Sequence, residues 1–149
     1  VIGSGVLMEE YLSILMRDGT QADVHFLGEV EPRELSGYYS ACDIFLMPSE
    51  RFPSDGLNVV VPEAMACGRP VVASDAGGND IVVSNGVNGY LHAAGDPVDL
   101  AEKVMRLIND PAQRNEMGNK SMELVRSRFN WLSIAKYYID SYRKLSVAK

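Results

Sequence analysis

Short apolar runs alternate along this 149-residue chain with longer amphipathic stretches, and that alternation restricts the fold more than any other property. The runs at Val24–Leu27, Asp43–Met47, Pro70–Ala73 and Gly89–His92 are largely apolar at consecutive positions, as parallel strands covered on both faces are. Helical spacing is predicted over Val6–Arg17, Pro32–Ala41, Val59–Cys67, Pro97–Asn109, Pro111–Arg128 and Trp131–Leu145. Asp96-Pro97 and Asp110-Pro111 each set a capping acid before a proline, which suits the first helical position because it lacks an N–H. The fold class implied is α/β, a doubly wound Rossmann-like parallel sheet that binds ligands outside the carboxyl ends of its strands. With 46% apolar and 23% charged residues, positions 1–149 read as one domain with chain enough for a core.

Function is written most densely between Pro48 and Pro70, PSERFPSDGLNVVVPEAMACGRP. Pro62 confines a helix start to the stretch between Asn58 and Val61, because proline is tolerated only in a first turn. Several main-chain N–H groups then lack acceptors at that helix mouth, which favours anions and phosphates above all. Asp55 lies on the loop before the mouth and Glu63 one turn inside it, eight positions on. Carboxylates are poor phosphate ligands but good acceptors for sugar hydroxyls, so the segment outlines a sugar-nucleotide site.

The order of FLGEV (26–30), YYSACDIFLMPS (38–49), DGLN (55–58), PEAMACGRPVVAS (62–74), AGGNDIV (76–82) and NGVNGYL (85–91) resembles the C-terminal, donor-binding domain of family 4 (group 1) glycosyltransferases of the GT-B fold. The resemblance spans essentially the whole chain. It implies a retaining enzyme that moves a sugar from a nucleoside diphosphate to an acceptor hydroxyl. Asp55 and Glu63 fill the family's pair of acids separated by seven residues, with Asp where Glu is usual. In that family the first acid faces the donor sugar, a catalytic position, and the second grips the ribose hydroxyls. Donor-binding positions implied are Gly56, Glu63 and Leu57, Asn58 and Val59, the amides of the last three taking phosphate and sugar oxygens. Ser49 and Glu50 end a strand at the mouth of the site and join the donor-binding set, with a solvated loop the equal alternative for Glu50. Gly28 and Glu29 correspond to the turn lying against the nucleobase in that family, a plain strand-to-helix turn being the equal alternative. Asn79 and Asp80 depart from the family's usual Pro or apolar residue followed by Glu.

No metal or cofactor is expected. The chain has no Asp-x-Asp triplet, so a diphosphate would be neutralised by amides and basic side chains rather than a cation. Arg51 is the lone cation of its loop, and a surface position is its simpler reading. Family members supply an Arg and a Lys, which find no match here. Val1-Ile2-Gly3-Ser4-Gly5 reads as a strand end and glycine turn; with Met8 in place of a third glycine it is no dinucleotide fingerprint. The 149 residues are thus expected to be an excised piece lacking the first strand-helix unit and the acceptor domain. The net charge of −6 argues against nucleic acid. Cys42 and Cys67 form no CxxC pair and suit a reduced, cytoplasmic protein, both in buried contexts. His25 and His92 read as core or edge histidines.

Expected partners are the nucleotide-sugar donor and a saccharide or lipid-linked acceptor, the latter compatible with peripheral attachment at the inner membrane face. A non-catalytic nucleotide- or sugar-binding module and a nucleotide-sugar epimerase of related fold are the competing readings. On the last helix, Trp131, Ile134, Ala135, Tyr138, Tyr142 and Leu145 form one stripe, expected to pack on the domain. The resemblance adds the alternative that this helix crosses to the acceptor domain, which would leave some of its aromatic residues exposed.

Overall fold

A computed structural model describes residues 1–51 and 56–147. The chain divides into two compact units, Val1–Leu35 and Ser36–Lys149. In the first, helix α1 (Met8–Asp18) stops at Gly19, whose φ of 69° is the left-handed conformation that glycine adopts without strain. The amides of Gly19 and Thr20 close onto the carbonyls of Met16 and Leu15 at 3.3 and 3.0 Å. The strand expected at Val24–Leu27 does not form. Among the described residues that segment hydrogen-bonds to Val1, through the Val1 amino group to the His25 carbonyl and the Leu27 amide to the Val1 carbonyl. A ladder so short falls below a strand. Gly28 follows in an isolated bridge with Gly3.

Helix α2 (Pro32–Ala41) leads into the second unit. There strands β1 (Phe45–Met47), β2 (Val71–Ser74) and β3 (Gly89–His92) form a parallel sheet in the order β1-β2-β3. Helix α3 (Val60–Ala66) crosses from β1 to β2, a 3-10 turn (Asn79–Ile81) lies between β2 and β3, and α4 (Pro97–Asn109), α5 (Pro111–Arg128) and α6 (Trp131–Val147) follow β3. The two Asp-Pro starts are as expected. Asp96 accepts from the amides of Val98 and Asp99, and Asp110 from that of Gln113, so each acid satisfies donors that open a helix.

The core is built around β2, all four of whose residues are fully buried. Successive strand residues face opposite ways, so Val71 and Ala73 meet Val61 and Met65 of α3 with Val82 and Val83. Val72 points the other way, to Tyr90, Leu107 of α4 and Met117 of α5. Each such aliphatic side chain contributes about 1.5–3 kcal/mol by leaving water. Helix α5 is fastened at two points. The Ser121 hydroxyl donates to the Asn88 carbonyl at 2.7 Å, while Asn88 in turn donates to the Val82 carbonyl at 2.9 Å. At Gly118 a β-carbon would run into the Gly68 carbonyl oxygen, so the helix approaches that backbone as only glycine permits.

The expected packing of α6 fails. Ile134 is half-buried, but Trp131 is 85% exposed, and Tyr138, Tyr142 and Leu145 are exposed as well. The stripe is a real amphipathic face that these described residues leave uncovered. Cys42 and Cys67 are half-buried rather than fully buried. Among the described residues no helix is long and apolar enough to cross a membrane.

Gly118→Ala should destabilise the protein by about 1–3 kcal/mol through overpacking against fixed backbone. Urea denaturation checks this; an unchanged midpoint would show that the contact yields freely.

Candidate nucleotide-sugar site

Helix α3 opens without a side-chain cap: Val59 stands at the N-cap with helical φ and ψ and donates no acceptor to the turn. Pro62, its third residue, needs none. Among the described residues the amides of Leu57, Asn58 and Val59 donate to no carbonyl or side chain, so the sequence leading into the helix leaves donors free. The helix begins at Val60, inside the interval that Pro62 prescribes. Asp55 lies outside the described residues.

What holds this loop is a buried amide. Asn79 is fully buried in the turn after β2; its Nδ2 donates to the Ser74 carbonyl at 3.1 Å and its Oδ1 accepts from Asn58 Nδ2 at 3.4 Å. The Asn58 amide also donates to Ser49 Oγ at 3.2 Å, so the end of β1, the loop before α3 and the turn after β2 share one network. Gly77 and Gly78 both have positive φ, and a β-carbon at Gly77 would lie 3.0 Å from Asn58 Nδ2 and 3.1 Å from the Gly56 carbonyl. The glycine pair lets the turn lie directly under the Gly56–Asn58 backbone.

Glu63 projects from the first turn of α3 and is exposed. Its Oε2 accepts a 2.9 Å hydrogen bond from the hydroxyl of Tyr39, a residue of α2 that is only 6% exposed. Burial first, then the bond to Glu63, pushes the Tyr39 hydroxyl above its ordinary pKa, so it remains a donor. The far ends of α2 and α3 are joined by Arg69, whose guanidinium donates to the Cys42 carbonyl at 2.9 Å and the Cys67 carbonyl at 3.0 Å. Two helix C-termini thereby receive one positive charge. Burial raises the pKa of the Cys42 thiol, and Arg69 partly offsets it.

Other expected positions are placed differently. Glu50 lines a cleft of about 250 Å³ with Pro48, His92 and Asp96, and makes no hydrogen bond to Asn58 or Glu63. His92 is buried, as expected of a core histidine: Nδ1 lies 2.9 Å from the Ala93 carbonyl, while Nε2 has no partner. Arg51 meets Asp75 at 2.6 Å on an exposed surface, in keeping with its surface reading. Gly28 and Glu29 belong to the first unit, where Glu29 accepts from the Ser4 hydroxyl at 3.0 Å. Among the described residues no group of three His, Cys, Asp or Glu side chains is placed to hold a metal ion. Sequence reasoning missed Tyr39 and the clamping role of Asn79. A tyrosine on the inner face of α2, in the run YYSAC, is the only signal that pointed to the first.

The family model described as glycosyl transferases group 1 matches residues 1–110. The chain belongs to that family. It is 36% identical over 141 residues to a D-inositol 3-phosphate glycosyltransferase of Corynebacterium kroppenstedtii, covering 94% of this chain and 30% of that protein. Among solved structures it resembles sucrose-phosphate synthase from Thermosynechococcus elongatus, with a TM-score of 0.85 and 30% identity over 99% of this chain and 38% of the other. It also resembles Anabaena HepE in complex with UDP, at a TM-score of 0.88 and 26% identity, covering 96% of this chain and 40% of that one. The group 1 glycosyltransferase chain described here thus has the α/β fold of a GT-B C-terminal domain and spans about a third of the length of its curated relatives.

Asn79→Leu keeps the branching of the side chain, adds methyl bulk and strands the Ser74 carbonyl. The expected loss is about 1–3 kcal/mol, together with faster amide exchange at Leu57 and Asn58. Chemical denaturation and hydrogen exchange read the two effects; a stable variant with an unchanged loop would refute the clamp.

Proposed function

We propose that this domain binds the nucleotide-sugar donor of a retaining glycosyltransferase, without a metal or cofactor, and that the whole protein moves the sugar to a saccharide or lipid-linked acceptor hydroxyl. The observation carrying this reading is the pairing of unengaged amides at Leu57–Val59 with the accessible carboxylate of Glu63 one turn away. That spacing suits a diphosphate followed by a ribose. The HepE structures with UDP and with UDP-glucose support the same ligand class here.

In this mechanism the Glu63 carboxylate accepts from the ribose hydroxyls and Asp55 orients the donor sugar. The amides of residues 57–59 donate to phosphate oxygens. As the glycosidic bond breaks, negative charge grows on the departing diphosphate and those bonds strengthen. Donors already aimed at the charge need no reorganisation, so they lower the barrier rather than only tightening binding. Acceptor activation belongs to parts of the whole protein outside these 149 residues.

Titration of the whole protein with UDP, GDP, ADP and their glucose conjugates tests the reading. Glu63→Ala should weaken the bare nucleotide and the sugar nucleotide alike, by about ten-fold or more, the loss expected for hydrogen bonds to a charged group. Asp55→Asn should weaken only the conjugate. Equal losses in the Asp55 variant would contradict its sugar-facing role, and unaltered binding in the Glu63 variant would remove the ribose site.

A further inference from the structure

The Tyr39–Glu63 contact has no part in the donor site as outlined above, yet its geometry bears directly on that site. Glu63 is exposed, and a free glutamate on a helix surface samples several rotamers. Here one carboxylate oxygen is held 2.9 Å from a hydroxyl whose own position is fixed. The Tyr39 ring is buried and stands edge-on to Phe45 of β1, with centroids 5.6 Å apart and planes at 75°, an arrangement aromatic pairs favour. Phe45 in turn packs against the core cluster of Val71 and Ala73. The sheet thus sets the ring, the ring sets the hydroxyl, and the hydroxyl sets the carboxylate. Oε2 is engaged, and among the described residues Oε1 has no hydrogen-bond donor.

We infer that Tyr39 is a positioning residue for donor binding: it turns Glu63 so that Oε1 is presented to the vicinal hydroxyls of the nucleotide's ribose. The inference rests on the ribose role proposed for Glu63. A carboxylate already held in place loses less rotamer freedom when the ribose arrives, and this raises affinity for ligands bearing the diol and for no others. The hydroxyl is fit for the task because it stays protonated beside the carboxylate, to which it donates.

The test uses the whole protein and whichever of UDP, GDP and ADP it binds most tightly, alongside the 2′,3′-dideoxy form of the same nucleotide. Tyr39→Phe keeps the buried ring and removes only the hydroxyl, and thermal melting verifies the fold. The expected result is a loss of about three- to ten-fold for the ribonucleotide, the range for one removed hydrogen bond, and none for the dideoxy nucleotide. In a Glu63→Ala background the same substitution should have no further effect. Equal losses for both nucleotides would mark a merely structural role and overturn the proposal, as would no loss in Tyr39→Phe where Glu63→Ala weakens binding. Unaltered ribonucleotide binding in Glu63→Ala would overturn the ribose reading itself, and with it this inference.

Discussion

Burial of the four-residue strand β2 on both faces is the constraint on which the second unit depends. Its odd positions are covered by α3 and the turn after the strand, its even positions by α4 and α5. A strand of four residues makes few ladder hydrogen bonds, so the layers above and below it hold the sheet together. The same arrangement carries the site, because the loop before α3 and the turn after β2 both leave the sheet at its carboxyl edge. Core and site are therefore not separate problems in this protein: the packing that stabilises β2 also sets the height at which Asn58 and Glu63 stand.

A network of neutral groups does the fine positioning. Ser49 and Asn58, near the two ends of the loop from β1 to α3, and Asn79, in the turn after β2, meet through the half-buried side-chain amide of Asn58. An amide supplies donors and an acceptor without carrying charge, so the Asn79 side chain satisfies a carbonyl and a neighbouring side chain at once. The glycine pair at 77–78 is part of the same solution, since any side chain there would lift the loop.

The sequence announced most of the architecture because the deciding signals were local. Proline with a preceding aspartate marked the starts of α4 and α5, and Pro62 bounded the start of α3; each acts within one turn of helix. Consecutive apolar residues located β1 to β3; both faces of β2 are covered, whereas Leu46 of β1 is exposed. Where a partner distant in sequence decides, periodicity was silent. Val24–Leu27 has the composition of a strand, but its described hydrogen bonds, both to Val1, do not make a ladder, and composition does not say which segment pairs with it. The stripe on α6 was legible as a face, while what should cover it was not, since amphipathicity states that a surface is apolar and not which surface meets it. Within the site, the free amides and Glu63 followed from helix-end chemistry. The Tyr39 contact did not, because α2 and α3 become neighbours only through the sheet between them in sequence.

Arg69 shows how this construction tolerates motion. One guanidinium grips the last carbonyls of two helices, and Tyr39 and Glu63 lie within about a turn of those gripped ends. Mechanically, the pair sits near a fulcrum, where a tilt of either helix has a short lever arm and produces little displacement. A swing large enough to move the opposite end of α2 by several ångströms would reach the hydroxyl–carboxylate contact much attenuated. A protein built this way can flex while the hydroxyl and carboxylate at that fulcrum keep their spacing.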